Sequence, residues 1–97
     1  MDDVLTQALS ELLEKCIQMD FETPLNVVAI AANGAAIVMQ YVEANDGSCL
    51  EAAPLIESND RSFAPPVNIF ISDSRGEVLR MLIERDGKRG PIRHLVY

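Results

Sequence analysis

The sequence predicts an α+β domain in which an N-terminal helix packs on an antiparallel sheet of four or five strands. Three observations predict this class. Apolar residues recur at helical spacing near the start of the chain, two pairs of apolar runs are each separated by a glycine-containing turn, and a short alternating run closes the chain. The predicted order is α-β-β-(loop or short α)-β-β-β, made of two hairpins and an edge strand. Because the chain has 97 residues, we expect one domain spanning 1–97.

Residues 3–19 predict the helix. Leu5, Leu9, Leu12 and Cys16 recur at the spacing of one helical face. Asp2 or Asp3 precedes this pattern and can accept hydrogen bonds from the first free amides. We expect the helix to end before Thr23-Pro24, because proline disfavours the α region for the residue before it.

The first hairpin is predicted from Asn33-Gly34, which separates the apolar runs 25–32 and 35–43. Asn-Gly favours a two-residue turn, because both central residues of a type I′ turn need positive φ. In that register Ala32 pairs with Ala35. Both faces of this hairpin are apolar, so we expect the helix to cover one face and a second element, a ligand or another copy to cover the other.

Residues 44–66 predict an irregular segment. Ser48 and Glu51 have capping-box spacing, which favours a short helix that Pro54 limits. A connection of this length is typical of lids and binding loops, so we expect it to lie over a sheet face as a lid or cover.

The second hairpin has clearer alternation, in runs 67–72 and 77–85, with Gly76 closing a three-residue loop. Its helix-facing residues are predicted to be Val67, Ile69, Ile71, Leu79, Met81 and Ile83. The run 92–97 follows a glycine-rich turn and predicts an edge strand, since Pro91 and Arg93 suit an edge.

An apolar face remains after the helix has covered its side of the sheet. A polar-rimmed patch of this kind is typical of interaction sites. The sequence-based interaction face comprises Val27, Ala29, Ala31, Ala36, Val38, Phe70, Val78 and Leu82. We therefore expect a non-enzymatic cytosolic interaction protein, of adaptor, chaperone-like or regulatory type, that forms a homodimer or binds a protein partner. The helix-then-hairpin order, small size and acidity resemble roadblock-type dimerisation domains and acidic secretion chaperones, a resemblance that assigns no site residue.

Two alternative functions and one further candidate site stay open. A small-molecule sensor or binding domain would use residues 44–66 as a lid, with Tyr41, Phe70 and Arg80 as ligand contacts. Lys88 and Arg89, in a glycine-flanked turn, are candidate contacts for an anion. An enzyme would have to use Cys49 or His94, the latter being the single histidine of the chain.

Composition argues against several other classes. The net charge of −7 argues against a nucleic-acid binder, although residues 61–97 are basic and residues 1–60 strongly acidic. One histidine and two separated cysteines cannot supply a zinc site, and no phosphate-binding glycine pattern is present, so no metal or cofactor is expected. No apolar run is long enough for a membrane helix and no export signal is evident, so Cys16 and Cys49 are expected to be reduced thiols in the cytoplasm.

Overall fold

The computed structural model describes residues 2–44, 50–52, 57–58 and 63–95. One helix precedes the strands of a single antiparallel sheet, which confirms the predicted α+β class. The elements are α1 (Asp2–Gln18), β1 (Leu25–Ala31), β2 (Ala36–Glu43), β3 (Leu50–Ala52), β4 (Glu57–Ser58), β5 (Val67–Ser72), β6 (Val78–Ile83) and β7 (Arg93–Leu95). Six strands lie side by side in the order β3-β2-β1-β5-β6-β7, and β4 also pairs with β2.

The helix covers one face of this sheet and lies closest to β6. Ala8, Leu12 and Cys16 of α1 are fully buried against it, as the predicted helical face requires. The sheet side of the core is made of alternate residues from three neighbouring strands: Leu25, Val27, Ala29, Ala31, Val67, Ile69, Ile71, Leu79, Met81 and Ile83. The last six are the residues that the second hairpin's alternation predicts to face the helix.

The helix ends earlier than Thr23-Pro24. The amide of Phe21 donates to the carbonyl of Cys16, and the amide of Asp20 donates to the carbonyl of Ile17. This is the bonding pattern of a Schellman motif, which needs a left-handed residue after the helix. Asp20 takes that conformation with φ of 56°. The helix therefore ends through the left-handed conformation of Asp20, before the chain reaches Pro24.

Three hairpin loops that the structure describes in full have the same three-residue geometry. In the first, the amide of Gly34 donates to the carbonyl of Ala31, and the amide of Ala31 donates to the carbonyl of Ala35. Gly34 has φ of 87°, and Gly76 and Gly87 take the same conformation at the equivalent positions. A type I turn followed by a left-handed residue gives this loop, and glycine adopts that conformation without a Cβ clash.

The predicted two-residue turn at Asn33-Gly34 is therefore wrong. Ala32, Asn33 and Gly34 form the loop, and the register pairs Ile30 with Ala36 and Val28 with Val38. A shift of one residue moves every side chain of one strand to the other face relative to its neighbour. The sequence-based faces of the first hairpin are corrected accordingly below.

Residues 50–52 form a strand, so the short helix that the Ser48–Glu51 spacing favours does not form over them; Ser48 itself lies outside the described residues. Ala52 pairs with Tyr41 in β2, and β4 pairs with β2 further along. Both short strands therefore extend the sheet sideways instead of lying on it, and they raise the strand number above the prediction. Much of the rest of the lid or cover predicted for 44–66, residues 45–49, 53–56 and 59–62, lies outside the described part of the chain, whereas Phe63 is described and packs against the core. The edge strand β7 lies within the predicted range 92–97.

Candidate functional site

The sheet face opposite α1 is the candidate interaction surface, and we call it the open face. The described helix packs on the other side, and every described strand lies in the sheet itself, so no described element covers the open face. Its residues follow from strand alternation: Asn26, Val28, Ile30, Ala36, Val38, Gln40, Val42, Glu51, Asn68, Phe70, Ser72, Val78, Arg80, Leu82, Arg93 and Leu95. Most are half-buried, and Ile30 is 47% exposed.

The centre of the open face is apolar. Val38, Val28 and Phe70 are successive register partners across β2, β1 and β5. Ile30 lies beside this group on β1, and Leu82 lies beside it on β6. Direct cross-strand neighbours such as Val38, Val28 and Phe70 have Cβ atoms about 5 Å apart, so their side chains form one patch, whereas Leu82 is diagonal to Phe70 because its own register partner is Asn68.

A polar group borders the patch on the β6 side. The Arg80 guanidinium donates to Asn68 Oδ1 from Nη2 at 2.7 Å and from Nε at 3.2 Å. Its central carbon lies 5.9 Å from the centroid of the Phe70 ring, within cation–π range. Arg93 is the register partner of Arg80 on β7. Within the described part of the chain, neither arginine forms an ion pair with a carboxylate.

The structure divides the sequence-based interaction face between the two sides of the sheet. Five of its residues lie on the open face: Ala36, Val38, Phe70, Val78 and Leu82. Val27, Ala29 and Ala31 are instead 1%, 2% and 4% exposed in the core beneath α1, and their assignment to this face is corrected. The cause is the one-residue register error in the first hairpin.

Sequence reasoning missed Val28, Ile30, Arg93 and Leu95 on this face. The sequence does contain a signal that could have placed Val28 and Ile30. The second hairpin predicts a three-residue loop with glycine in third place, and Ala32-Asn33-Gly34 fits the same pattern. Applying that pattern to the first hairpin puts Val28 and Ile30 on the same face as Val38 and Ala36.

A groove runs between α1 and β2 on the other side of the sheet. It encloses about 230 Å³. Its walls are mostly aliphatic, with Leu5, Leu9 and Leu13 from the helix and Ile37 and Met39 from the strand. Tyr41 lies in the same wall, and burial raises the pKa of its hydroxyl. The groove is therefore an apolar site with few polar groups.

The predicted ligand contacts Tyr41, Phe70 and Arg80 are not brought together. Tyr41 lines the groove under α1, whereas Phe70 and Arg80 contact each other on the open face. Since the sheet separates them, one small ligand cannot contact all three. The prediction of a shared site for these residues is corrected.

The predicted anion contacts are also separated. Arg89 donates from Nη1 to Gln7 Oε1 at 2.8 Å, and its Nη2 lies 3.0 Å from Glu11 Oε1. These contacts fasten the last hairpin to α1 and neutralise the guanidinium. Lys88 is exposed and takes no part in them. The pair therefore does not form a joint cationic site, because Arg89 already has a carboxylate partner.

The described side chains that were candidates for catalysis, Cys16 and His94, are engaged in contacts within the fold. Cys16 is a free thiol buried in the core, and burial, followed by the charge of Asp73, raises its pKa to about 12. His94 Nε2 contacts the Glu77 carboxylate, and its ring lies 6.2 Å from that of Phe21. Cys49, the other candidate nucleophile, lies outside the described residues. Within the described ranges, no group of three metal-ligating side chains occurs.

Among the residues whose burial the structure describes, Asp73 is the buried charged one. Its carboxylate accepts from the backbone amides of Glu22, Arg75 and Glu77 and from Arg75 Nε, at 2.8 to 3.2 Å. Burial alone would raise the pKa of Asp73, but these hydrogen bonds outweigh it and hold the pKa below its usual value. Since every donor belongs to the fold itself, Asp73 is a structural residue.

The fold and the open face define a two-layer α+β domain with one sheet face that no described element covers. Comparisons with protein-family models, curated proteins and solved structures find no match to this chain. Among the described helical residues, no segment has the length and apolar character needed to cross a bilayer. The functional proposal therefore rests on the surfaces of the chain itself.

Proposed function

We propose that this chain is a non-enzymatic cytosolic interaction protein, of adaptor, chaperone-like or regulatory type, that binds through its open face and works as a homodimer. The carrying observation is the apolar patch of Val28, Ile30, Val38 and Phe70, with Leu82 diagonal to Phe70, on central strands of the sheet. Patches of this kind on a folded domain mark interaction sites.

The position of the patch supports this proposal. It lies on β1, β2, β5 and β6, which each have neighbours on both sides, so their backbone groups are already paired. Binding would therefore proceed by side-chain packing on the face and not by adding a strand at an edge. Contact with another apolar surface would remove the exposed part of Ile30 and its neighbours from water, which is favourable.

The described titratable groups support a binding role over a catalytic one. Cys16 is protonated at neutral pH because its pKa is about 12, so it is not a nucleophile there. Asp73 uses its carboxylate oxygens to hold the backbone. The cytosolic assignment rests on Cys16, which is free and buried in the core, as is typical of proteins from compartments that keep thiols reduced.

The proposal is tested by a matched pair of substitutions in β1 and β2. Val38→Glu places a charge on the open face, whereas Val27→Glu places one in the core beneath α1. We expect Val38→Glu to convert a dimer into a folded monomer, and Val27→Glu to unfold the chain. Light scattering gives the mass, and circular dichroism gives the folded fraction. A folded Val38→Glu variant that associates as the wild type does would overturn the proposal.

A second candidate function is binding of a small apolar molecule in the groove between α1 and β2. The observation in its favour is the aliphatic lining with Tyr41 at its wall. The probe is 1-anilinonaphthalene-8-sulfonate, whose fluorescence rises in apolar sites. If the groove binds it, Leu9→Trp should fill the space and abolish the signal, whereas Thr6→Ala at its polar side should preserve it. Equal signals from both variants exclude this site.

A further inference from the structure

We propose that a pocket between β6 and β7 binds a small organic monocarboxylate, whose carboxylate group pairs with Arg80 and Arg93. This site borders the apolar patch and goes beyond the proposed function, because it does not depend on a homodimer. The carrying observation is that two arginine side chains line one cavity, and that neither has an acidic partner among the described residues.

The pocket lies between β6 on one side and the start of β7 with its preceding turn on the other. It encloses about 260 Å³, which is below the range of sites for drug-sized ligands and suits a smaller molecule. Its lining residues are Arg80, Leu82, Glu84, Gly90, Pro91 and Arg93. The amide of Gly90 donates to the carbonyl of Leu82 at 2.8 Å, and Arg93 is the register partner of Arg80. Backbone pairing therefore holds the two sides of the pocket together.

The guanidinium of Arg80 is already oriented. Asn68 Oδ1 accepts from Nη2 at 2.7 Å and from Nε at 3.2 Å, and the guanidinium carbon lies 5.9 Å from the centroid of the Phe70 ring. Both contacts are with neutral groups, so they hold the guanidinium without neutralising it. An arginine offers five N–H donors, so further donors remain for a ligand. A side chain that is held in advance loses less entropy when the ligand binds.

Arg93 places a second positive charge in the same pocket. It lies directly opposite Arg80, and like charges in that relationship are destabilising. An anion between the two guanidinium groups would remove this repulsion. Guanidinium and carboxylate groups match in shape, because parallel N–H donors meet the two oxygens. The pair therefore favours a carboxylate group as the ligand's anchor.

Glu84 restricts the charge of the ligand. It lies at the other end of the lining from Arg80, on the same side of β6. Two arginines and one glutamate give the lining a net charge of +1, which a monocarboxylate neutralises. A phosphate dianion or a polyanion would be repelled by Glu84 and by the chain's net charge of −7.

The remaining lining favours a short hydrocarbon part in the ligand. Leu82 lies between the charged ends of the pocket on β6, and Pro91 lies between Gly90 and Arg93 on the other side. A branched aliphatic acid would place its carboxylate at the arginines and its methyl groups against these two side chains. Removal of that apolar surface from water is favourable.

Isovalerate tests the site, with isovaleramide as the uncharged probe of the same shape. Amide chemical shifts in a titration at low ionic strength give the affinity, which we expect in the millimolar range for so small an acid. Isovaleramide should bind at least about tenfold more weakly, because it lacks the charge that the arginines recognise. Saturable shifts should occur at the pocket residues.

Two arginine variants locate the binding. Arg93→Gln should weaken isovalerate binding at least about tenfold, since it removes one charged donor group. Arg85→Gln is the matched control, because Arg85 is an exposed arginine just after β6 that is not part of this lining. It makes the same change in net charge and should leave the affinity unchanged to within about twofold. Circular dichroism checks that both variants are folded.

Glu84→Gln tests the charge restriction. It should strengthen isovalerate binding about threefold or more, and wild-type chain should bind inorganic phosphate more weakly than isovalerate. The absence of saturable shifts up to about 50 mM isovalerate would overturn the site. Equal losses in Arg93→Gln and Arg85→Gln, or phosphate binding as tight as that of isovalerate, would also overturn it. The Val38→Glu experiment tests the proposed function separately, so the two failures are distinguishable.

Discussion

The carboxylate of Asp73 accepts a hydrogen bond of 3.0 Å from the backbone amide of Glu22, 51 residues earlier in the chain. This bond joins the loop of the β5–β6 hairpin to the connection between α1 and β1. Arg75 strengthens the junction, because its Nη2 donates to the carbonyl of Asp20 at 2.8 Å. The contact fixes where the helix leaves the sheet, and with it the face that α1 covers.

Asp73→Ala should lower the free energy of unfolding by about 3 kcal/mol, because three backbone amides lose a charged acceptor in a buried site. Urea denaturation measures the change. Asp86→Ala is the matched control. Asp86 accepts from the Lys88 amide in the equivalent turn, but the site is exposed, so the expected loss is below about 1 kcal/mol. Equal losses at both positions would contradict the structural role of Asp73.

Asp73 should also make the stability of the fold sensitive to acid pH. Its pKa is lower in the folded chain than in the unfolded chain, so the unfolded state takes up the proton first as pH falls. The Asp73 contribution to stability is therefore complete above about pH 4, the ordinary pKa of an aspartate, and is lost as pH falls through the folded pKa. Urea midpoints from neutral to acid pH should fall less steeply in Asp73→Ala than in the wild type. Parallel curves would show that Asp73 does not carry the effect.

Gly34→Val should destabilise the fold by more than about 1 kcal/mol. Gly34 closes the first hairpin with φ of 87°, a conformation that a β-branched residue resists. Thermal unfolding measures the loss. Ala32→Val, in the same loop but on an exposed residue without positive φ, should be nearly neutral. An unchanged melting temperature in Gly34→Val would contradict the three-residue loop.

Asp20→Gly should stabilise the chain by about 0.5 to 1 kcal/mol. Asp20 holds the left-handed position that closes the Schellman motif, and glycine adopts that conformation without strain. Its carbonyl, which accepts from Arg75, is retained in the variant. Asp20→Ala keeps the strain and should bring no gain. Chemical denaturation of the wild type, Asp20→Gly and Asp20→Ala measures their relative stabilities. An Asp20→Gly variant less stable than the wild type would contradict this account of the helix end.

Much of the fold could be predicted because its signals are local. The helical spacing of Leu5, Leu9 and Leu12 and the alternation around Gly76 each lie within one element, so α1 and the second hairpin follow directly. The register of the first hairpin could not be settled in the same way. Both of its faces are apolar, so a slip of one residue at Asn33-Gly34 carries no penalty in the hydrophobic pattern.

The candidate site depends on relationships between distant residues. The strands β4 and β3 have only two and three residues. They are too short to show an alternation of apolar and polar residues, so the positions that they add beside β2 were missed. Asp73 follows a strand and precedes a turn, which gave no reason to expect a bond to Glu22. Arg80 and Arg93 became neighbours only through the β6–β7 pairing.

The most direct test of the central claim is the solution mass of the wild-type chain, measured by light scattering behind a sizing column over a concentration series. Burial of the open face by a second copy predicts twice the chain mass of 10.7 kDa, constant over the micromolar range. A mass equal to the single chain at every concentration would contradict the claim.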